Sequence, residues 1–306
     1  MLDLAYGENP HQRAALYAEE GARRHVLSRV EQLQGKPLSF NNLNALSAAR
    51  AVVEEFAVPA CAIVKHANPC GVALAATVEE AFARAFAADP VSAYGGVVVC
   101  NRPVTGSLAE LLADQFVELV FAPGYDEQAI AAIAAKPNTR VLLDLERRHA
   151  SPGERDYRRV LGGMLVQDRD VDVEDRAGMD VVCGEPTESD WGDLLFAWRV
   201  CKHGLSNAIV IARELATIGI GVGQMSRVDA VRIAVAKARE HGHDATRATL
   251  ASDAFFPFAD GPQLALDAGV HAIIQPGGSK RDAEVIAAVE KAGAIMVFTG
   301  RRHFRH

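Results

Sequence analysis

Long apolar runs are missing from this 306-residue chain, and its first residues, Met1 to Tyr17, lack the basic-then-apolar layout of a secretory leader. A cytoplasmic location is expected, with no membrane partner. Cysteine is scarce. Cys61, Cys70, Cys100, Cys183 and Cys201 are odd in number, scattered and mostly set in apolar segments, which argues for reduced core thiols and against a disulfide framework. Positive charge is not in excess either. A formal charge of −7 argues against a nonspecific nucleic-acid binder, which needs a basic face to displace counterions.

Nucleotide, metal and hydrolase signatures are incomplete. Gly219-Ile-Gly221-Val-Gly223 follows a strand and precedes a helix, but the third glycine of a dinucleotide fingerprint falls on Gln224. Alternate glycines here more plausibly clear one face of a strand for a ligand or another backbone. Gln275 to Lys280 lacks the Gly-Lys-Ser/Thr order of a P-loop. Its glycine turn before a helix favours a bound anion about as much as a plain cap. Pro69-Cys70 begins like half of a zinc deaminase signature, yet the residue three after Cys70 is Ala73 and His66 is not followed by x-Glu, so no metal is expected. Ser252 and Asp253 carry no nucleophile elbow. The Phe255-Phe-Pro-Phe258 run beside them is core packing or a wall for a flat ring.

What is present is an ordinary globular composition, 49% hydrophobic and 23% charged, in a pattern that repeats. Leu46, Ala49, Val53 and Phe56 recur at helical spacing, then strands at 61–64 and 72–74 form a hairpin. Thr77 and Glu80 make a capping box for a helix with Val78, Ala81, Phe82, Ala85 and Phe86 inward, stopped by Asp89-Pro90. A strand follows at 97–100, then a helix opened by Ser107 and Glu110 with Leu108, Leu111, Leu112 and Phe116 inward. A strand at 119–121, a helix at 126–136 and a strand at 140–145 complete the first run.

Residues 146–190 read as charged and irregular. After a helix near 191–203 the same order returns: a hairpin from 208–211 and 218–222, a helix from Ser226, then strands at 249–254, 271–274 and 295–298 separated by helices at 261–268 and 281–292. Alternating units of this kind predict an α/β fold of layered sheets flanked by helices, in two similar subdomains. The expected division is 1–34, an N-terminal substrate-binding segment; 35–150, the first subdomain; 151–190, a connection; and 191–306, the second. The tail from Arg301 to His306 is a cationic cluster at a strand end, suited to a local anion.

Chemistry concentrates at one corner. In Cys61 to Gly71, a short apolar strand breaks into Lys65-His66, and Asn68-Pro69 and Gly71 turn the chain. A lysine beside an imidazole there can move a proton and hold a negative charge; the plain alternative is a polar surface turn.

Six stretches, in order, carry a resemblance: Tyr6 to Gln12, Val64 to Gly71, Ser206 to Ala208, Gly219 to Arg227, Ser252 to Phe258 and Arg302 to His306. Together they resemble the 5-aminoimidazole-4-carboxamide ribonucleotide (AICAR) transformylase domain of the bifunctional purine biosynthesis family. The resemblance implies two tandem cytidine-deaminase-like subdomains without zinc. It implies formyl transfer from 10-formyltetrahydrofolate to the 5-amino group of AICAR, in a homodimer with active sites at the interface. By motif position, His66 would accept the proton, Lys65 would stabilise the transition state, and Asn207 would hold the carboxamide. Tyr6, Gly7, Gly95, Glu118, Arg227, Phe255 and Arg302 would contact the nucleotide, with Val228, Asp260, Ser279 and Lys280 at the folate site. Two features depart from the family. An N-terminal cyclohydrolase domain is absent from this sequence, so a separate cyclohydrolase is expected for ring closure. Ala5 stands where the family usually has a phosphate-holding arginine. That leaves a relative acting on an AICAR analogue, or a non-catalytic nucleotide- or folate-binding module, as alternative readings.

Overall fold

The computed structural model describes residues 1–18, 30–145, 153–171 and 175–306. The N-terminal segment forms a small antiparallel pair, β1 (Leu2–Leu4) and β2 (Ala14–Leu16). The first repeat then runs β3 (Glu31–Gln34), α1 (Phe40–Glu54), β4 (Ala60–Lys65), β5 (Asn68–Leu74), α2 (Val78–Ala88), the single turn α3 (Pro90–Ala93), β6 (Gly96–Cys100), α4 (Gly106–Ala113), β7 (Val117–Ala122), α5 (Glu127–Ala134) and β8 (Arg140–Leu143). A hairpin of β9 (Arg155–Val160) and β10 (Gly163–Asp168) intervenes. The second repeat is β11 (Asp180–Cys183), α6 (Glu188–Cys201), β12 (Ile209–Arg213), β13 (Ala216–Gly221), α7 (Arg227–Glu240), β14 (Thr249–Ser252), α8 (Asp260–Asp267), β15 (Ala272–Gln275), α9 (Asp282–Lys291) and β16 (Ile295–Phe298).

The repeat is longer than the sequence pattern indicates, because each copy opens with a strand, β3 or β11, ahead of the expected helix and hairpin. Nor do the halves form separate sheets. One sheet of twelve strands runs β11-β16-β15-β14-β12-β13-β5-β4-β6-β7-β8-β3. Three parallel strands close each half, β6-β7-β8 and β14-β15-β16, and the halves meet antiparallel where Ala216 of β13 faces Ala73 of β5. Pairing there is eked out by a side chain: Thr217 Oγ1 accepts from Val72 N–H (2.9 Å) and donates to Val72 O (3.2 Å). The joint makes the repeats point in opposite directions along the sheet.

Burial on both faces explains the unbroken apolar strands. In β4, Ala60, Ala62 and Val64 turn to the face covered by α1 and α6 of both halves, while Cys61 and Ile63 turn to that covered by α2, α4 and α5. Helices α7, α8 and α9 cover the second half on that other side. Alternate glycines let the helices close down. A Cβ on Gly219 or Gly221 would lie 2.1 or 2.0 Å from carbonyl oxygens of α7, and one on Gly71 would lie 1.8 Å from Ala85 O of α2. These glycines therefore admit a backbone, one of the two uses expected of them.

Several expected elements shift. The helix expected from Ser107 starts at Gly106, capped by Thr105, and Leu111 and Phe116, expected inward, are 39% and 54% exposed. Thr77 caps α2 through Glu80 N–H, but the box is one-sided. Within 146–190, expected to be irregular, the described residues hold β9, β10 and β11, and the last joins the edge of the main sheet. Strand β3, from the segment expected to precede the first subdomain, joins the opposite edge.

Candidate active site

All fourteen residues singled out above lie toward one end of the sheet, because that end gathers the finish of β4, the start of β5, the starts of β6 and β7, and the finishes of β13, β14, β15 and β16. They fall into two groups. The first-half group is Tyr6, Gly7, Lys65, His66, Gly95 and Glu118.

At its centre, β4 and β5 are joined by a two-residue turn, His66 and Ala67, with φ of +50° and +63°. Both central residues are left-handed, which suits the twist of a hairpin and is uncommon outside glycine and asparagine. The turn leaves the His66 imidazole exposed, while Lys65 is half-buried. Lys65 Nζ donates to Tyr94 O (2.9 Å) and Gly95 O (2.8 Å). An ammonium has three donors, so one N–H remains for a ligand. Gly95, at φ +68°, donates its own N–H to Phe116 O (2.7 Å), which ties the start of β6 to the residue before β7. One residue into β7, Glu118 Oε1 accepts from Asn42 (2.9 Å) and Arg140 (3.4 Å). Tyr6 O accepts from Phe40 N–H at the first turn of α1, and Gly7 is buried.

The second group is Asn207, Arg227, Val228, Phe255, Asp260, Ser279, Lys280 and Arg302. A buried ion pair of Arg227 with Asp253 organises it. Buried charges need further hydrogen bonds to offset desolvation, and both partners have them. Arg227 also donates to Ser252 Oγ (2.8 Å) and Asn207 Oδ1 (2.6 Å), and Asp253 Oδ2 accepts from Ser206 Oγ (2.6 Å). Asn207 in turn donates to Gln224 O (2.8 Å) and Met225 O (3.2 Å), so its amide orientation is fixed. The C-terminal tail is laced onto the same cluster: Ser206 N–H donates to Arg305 O and His303 N–H to Asp253 O. His303 itself is buried, its ring 5.1 Å from that of Trp198 and Nδ1 2.5 Å from Asp170 Oδ2. Val228 is half-buried at the start of α7, while Phe255, Asp260, Lys280 and Arg302 are exposed.

The segments that carry the two groups are joined where Leu205 N–H donates to Asn68 Oδ1 (3.0 Å). Among the described residues no hydrogen bond links Lys65 or His66 to Asn207. Asn207 lies two residues before β12, three strands from β4, and Ser279 and Lys280 follow β15, five strands away, or about 24 Å at ordinary strand spacing. The turn equivalent to His66-Ala67 is Glu214-Leu215, also left-handed at both residues, and it lies at the opposite end of the sheet. Each repeat therefore offers a different end to this edge.

Sequence reasoning missed Asn42, Arg140, Tyr94 and Ser206, and gave Asp253 no structural role. The last two lie inside quoted motifs, which was the signal available for them. Cys70, inside the central motif, is no nucleophile: burial, and then the charge of Asp89, push its thiol up to about 12. Among the described residues no three His, Cys, Asp or Glu side chains stand together as metal ligands. A cleft of about 2220 Å³ opens between α1, the β9–β10 hairpin and the C-terminal tail, lined by Gly7, Arg13, Arg159, Arg302 and Arg305 among others. It meets the two groups only at Gly7 and Arg302.

The family model described as the AICARFT/IMPCHase bienzyme matches residues 1–237. The chain belongs to this family. The bifunctional purine biosynthesis protein PurH of Acidithiobacillus ferrooxidans is 53% identical over 305 residues, covering 99% of this chain and 58% of that protein. The PurH of Cereibacter sphaeroides is 51% identical over 315 residues, covering 99% and 59%. The chain thus spans just under three fifths of the length of these AICARFT/IMPCHase relatives.

Proposed function

We propose that this chain transfers the formyl group of 10-formyltetrahydrofolate to the exocyclic 5-amine of AICAR. The carrying observation is the Lys65–His66 corner: an ammonium fixed by two carbonyls with one N–H to spare, beside an exposed imidazole, in a chain of the AICARFT/IMPCHase family. The amine is a poor nucleophile, because its lone pair is delocalised into the ring and the carboxamide. As its nitrogen bonds to the formyl carbon, His66 accepts the amine proton and the free N–H of Lys65 meets the oxyanion. The carbon–N10 bond then breaks and N10 leaves with a proton. Each group is worth roughly a hundredfold or more in rate.

Asn207, held by Arg227, orients the carboxamide. Tyr6, Gly7, Gly95, Glu118, Arg227, Phe255 and Arg302 are assigned to the nucleotide, and Val228, Asp260, Ser279 and Lys280 to the folate. The exposed ring of Phe255 and that of Phe258, stacked under Arg281 at 4.8 Å, fit a flat pterin beside these positions. Because one chain strings these residues along the sheet, we assign the working form to a homodimer whose sites combine residues of both copies. The repeats are read as cytidine-deaminase-like subdomains, the location as cytoplasmic and the chemistry as metal-independent. The ring closure that would follow is assigned to no residue of this stretch.

The test is the absorbance change on tetrahydrofolate release with AICAR and 10-formyltetrahydrofolate. Lys65→Ala and His66→Ala are each expected to abolish it while the protein stays folded. Retained turnover in both variants sinks the assignment.

A further inference from the structure

The internal repeat supplies a comparison for the turn that carries His66. In the second half the equivalent turn, Glu214-Leu215, has φ of +53° and +60°, close to the +50° and +63° of His66-Ala67. Its two N–H groups donate to one side chain, Glu214 N–H to Asp193 Oδ2 (2.8 Å) and Leu215 N–H to Asp193 Oδ1 (2.7 Å). That turn therefore holds a carboxylate by both oxygens. The N–H groups of His66 and Ala67 have no acceptor among the described residues.

One residue of the covering helix makes the difference. Both α1 and α6 open on a reciprocal capping box, Ser39 with Asn42 and Thr187 with Asp190, so the two helices align without a gap. Six residues past each cap stand Ala45 and Asp193, both buried, followed by Leu46 and Leu194. Ala67 and Leu215 pack against the core that these helices share with the sheet. Alanine thus stands in the place of the internal carboxylate at the turn that bears Lys65 and His66. An N–H pair that the fold satisfies in one repeat is left open in the other.

We infer that the N–H groups of His66 and Ala67 form an oxyanion site, which binds the negatively charged oxygen that develops on the formyl carbon. As the amine nitrogen adds, the carbonyl π pair moves onto this oxygen, and it returns when the carbon–N10 bond breaks. Fixed backbone donors need no reorganisation as that charge appears, and they follow directly on Lys65, which has its own N–H to spare. The inference rests on the formyl-transfer reading. A standing anion, phosphate or carboxylate, would instead fill the turn before reaction.

The test replaces Ala67 by lactic acid, which exchanges the N–H for an ester oxygen and keeps the methyl group. kcat should fall roughly tenfold or more, while KM for AICAR and for 10-formyltetrahydrofolate stays within about twofold. Ala45→Asp, which rebuilds the Asp193 arrangement, should fill both N–H groups and lower kcat roughly a hundredfold in a folded protein. Should Ala45→Asp fail to fold, the ester decides alone. An unchanged kcat in the ester variant, or a rise in KM without a fall in kcat, would overturn the inference. The chemistry of the turn is read apart from turnover in Asp193→Ala, where formate should raise the melting temperature more than equal chloride does, and more than it raises that of the parent protein. Equal shifts would remove anion binding by this kind of turn, and the inference with it. Failure of the functional reading looks different: the parent protein shows no formyl transfer while the formate response persists.

Discussion

A Cβ placed on Gly95 would sit 3.0 Å from both Lys65 Nζ and Phe116 Cε1, on a backbone at φ +68°. Gly95→Ala should therefore cost about 1 kcal/mol of stability through the left-handed backbone and displace the ammonium from its two carbonyls. We expect kcat to fall roughly tenfold or more while the folded state persists, checked by steady-state kinetics beside thermal melting. Unchanged kcat would mean that the Lys65 position is not set by this glycine. At this scale the sequence was informative where chemistry is local: Lys65 and His66 announce themselves as a cationic pair at a strand end. Asn42 and Arg140 do not, because the work of each depends on Glu118, 76 and 22 residues away in the chain. Arg227 reads as a ligand contact in the sequence, yet its guanidinium is largely spent on Asp253, Ser252 and Asn207.

Among the elements, the contacts of α2 and α7 with the sheet depend on glycine in the same way in both repeats. Gly71→Ala and Gly221→Ala each drive a Cβ into helix backbone, which cannot rotate aside as a side chain can. Each should cost about 3 kcal/mol, at the upper end of overpacking effects, and lower the urea midpoint without changing its slope. Gly223→Ala is the contrasting case, because a Cβ there meets nothing within 4 Å and only its φ of +69° is penalised. A midpoint for Gly71→Ala or Gly221→Ala no lower than that of Gly223→Ala would show that the helices can lift at little cost. The hairpins, the helices and the buried parallel strands of the two repeats were legible from periodicity, since buried strands and capped amphipathic helices write their own pattern. Hairpin β9–β10 was not, because all twelve of its residues are exposed and no core imposes alternation on them.

For the molecule as a whole, an ionic contact ties the two halves on the face shared by α1 and α6. Glu55 Oε1 lies 2.9 Å from His203 Nε2 and 3.2 Å from Lys202 Nζ. Burial pushes the Glu55 carboxyl up, but His203 and Lys202 together hold it below its usual 4.5. Burial depresses His203 below 6.5, more than Glu55 raises it. The folded state thus disfavours protonation of both. The stability this contact contributes is full above about pH 6.5, declines as His203 is forced to protonate, and declines again below about pH 4.5 as Glu55 is lost. Melting temperature against pH should show the first decline in the parent protein and not in His203→Gln; an unchanged profile would remove His203 as its source. A second expectation concerns assembly. Co-refolding Lys65→Ala with Asn207→Ala subunits should restore about a quarter of the parent activity if sites combine residues of two copies, since a mixed dimer then has one intact site. No recovery would place each site within one chain.

The sequence alone determined the central strands and helices of each repeat, that the pattern occurs twice, and that a lysine and a histidine stand at a hairpin turn, because each depends on near neighbours in the chain. Only the tertiary structure decided what that turn faces. By joining β5 to β13 antiparallel, the sheet reverses one repeat against the other. The Lys65 turn then shares an edge with the open end of the second hairpin at Asn207, not with its equivalent turn at Glu214-Leu215. Strand pairing between segments some 140 residues apart leaves no local trace in the sequence, since it is fixed by a hydrogen-bonded edge and not by any spacing.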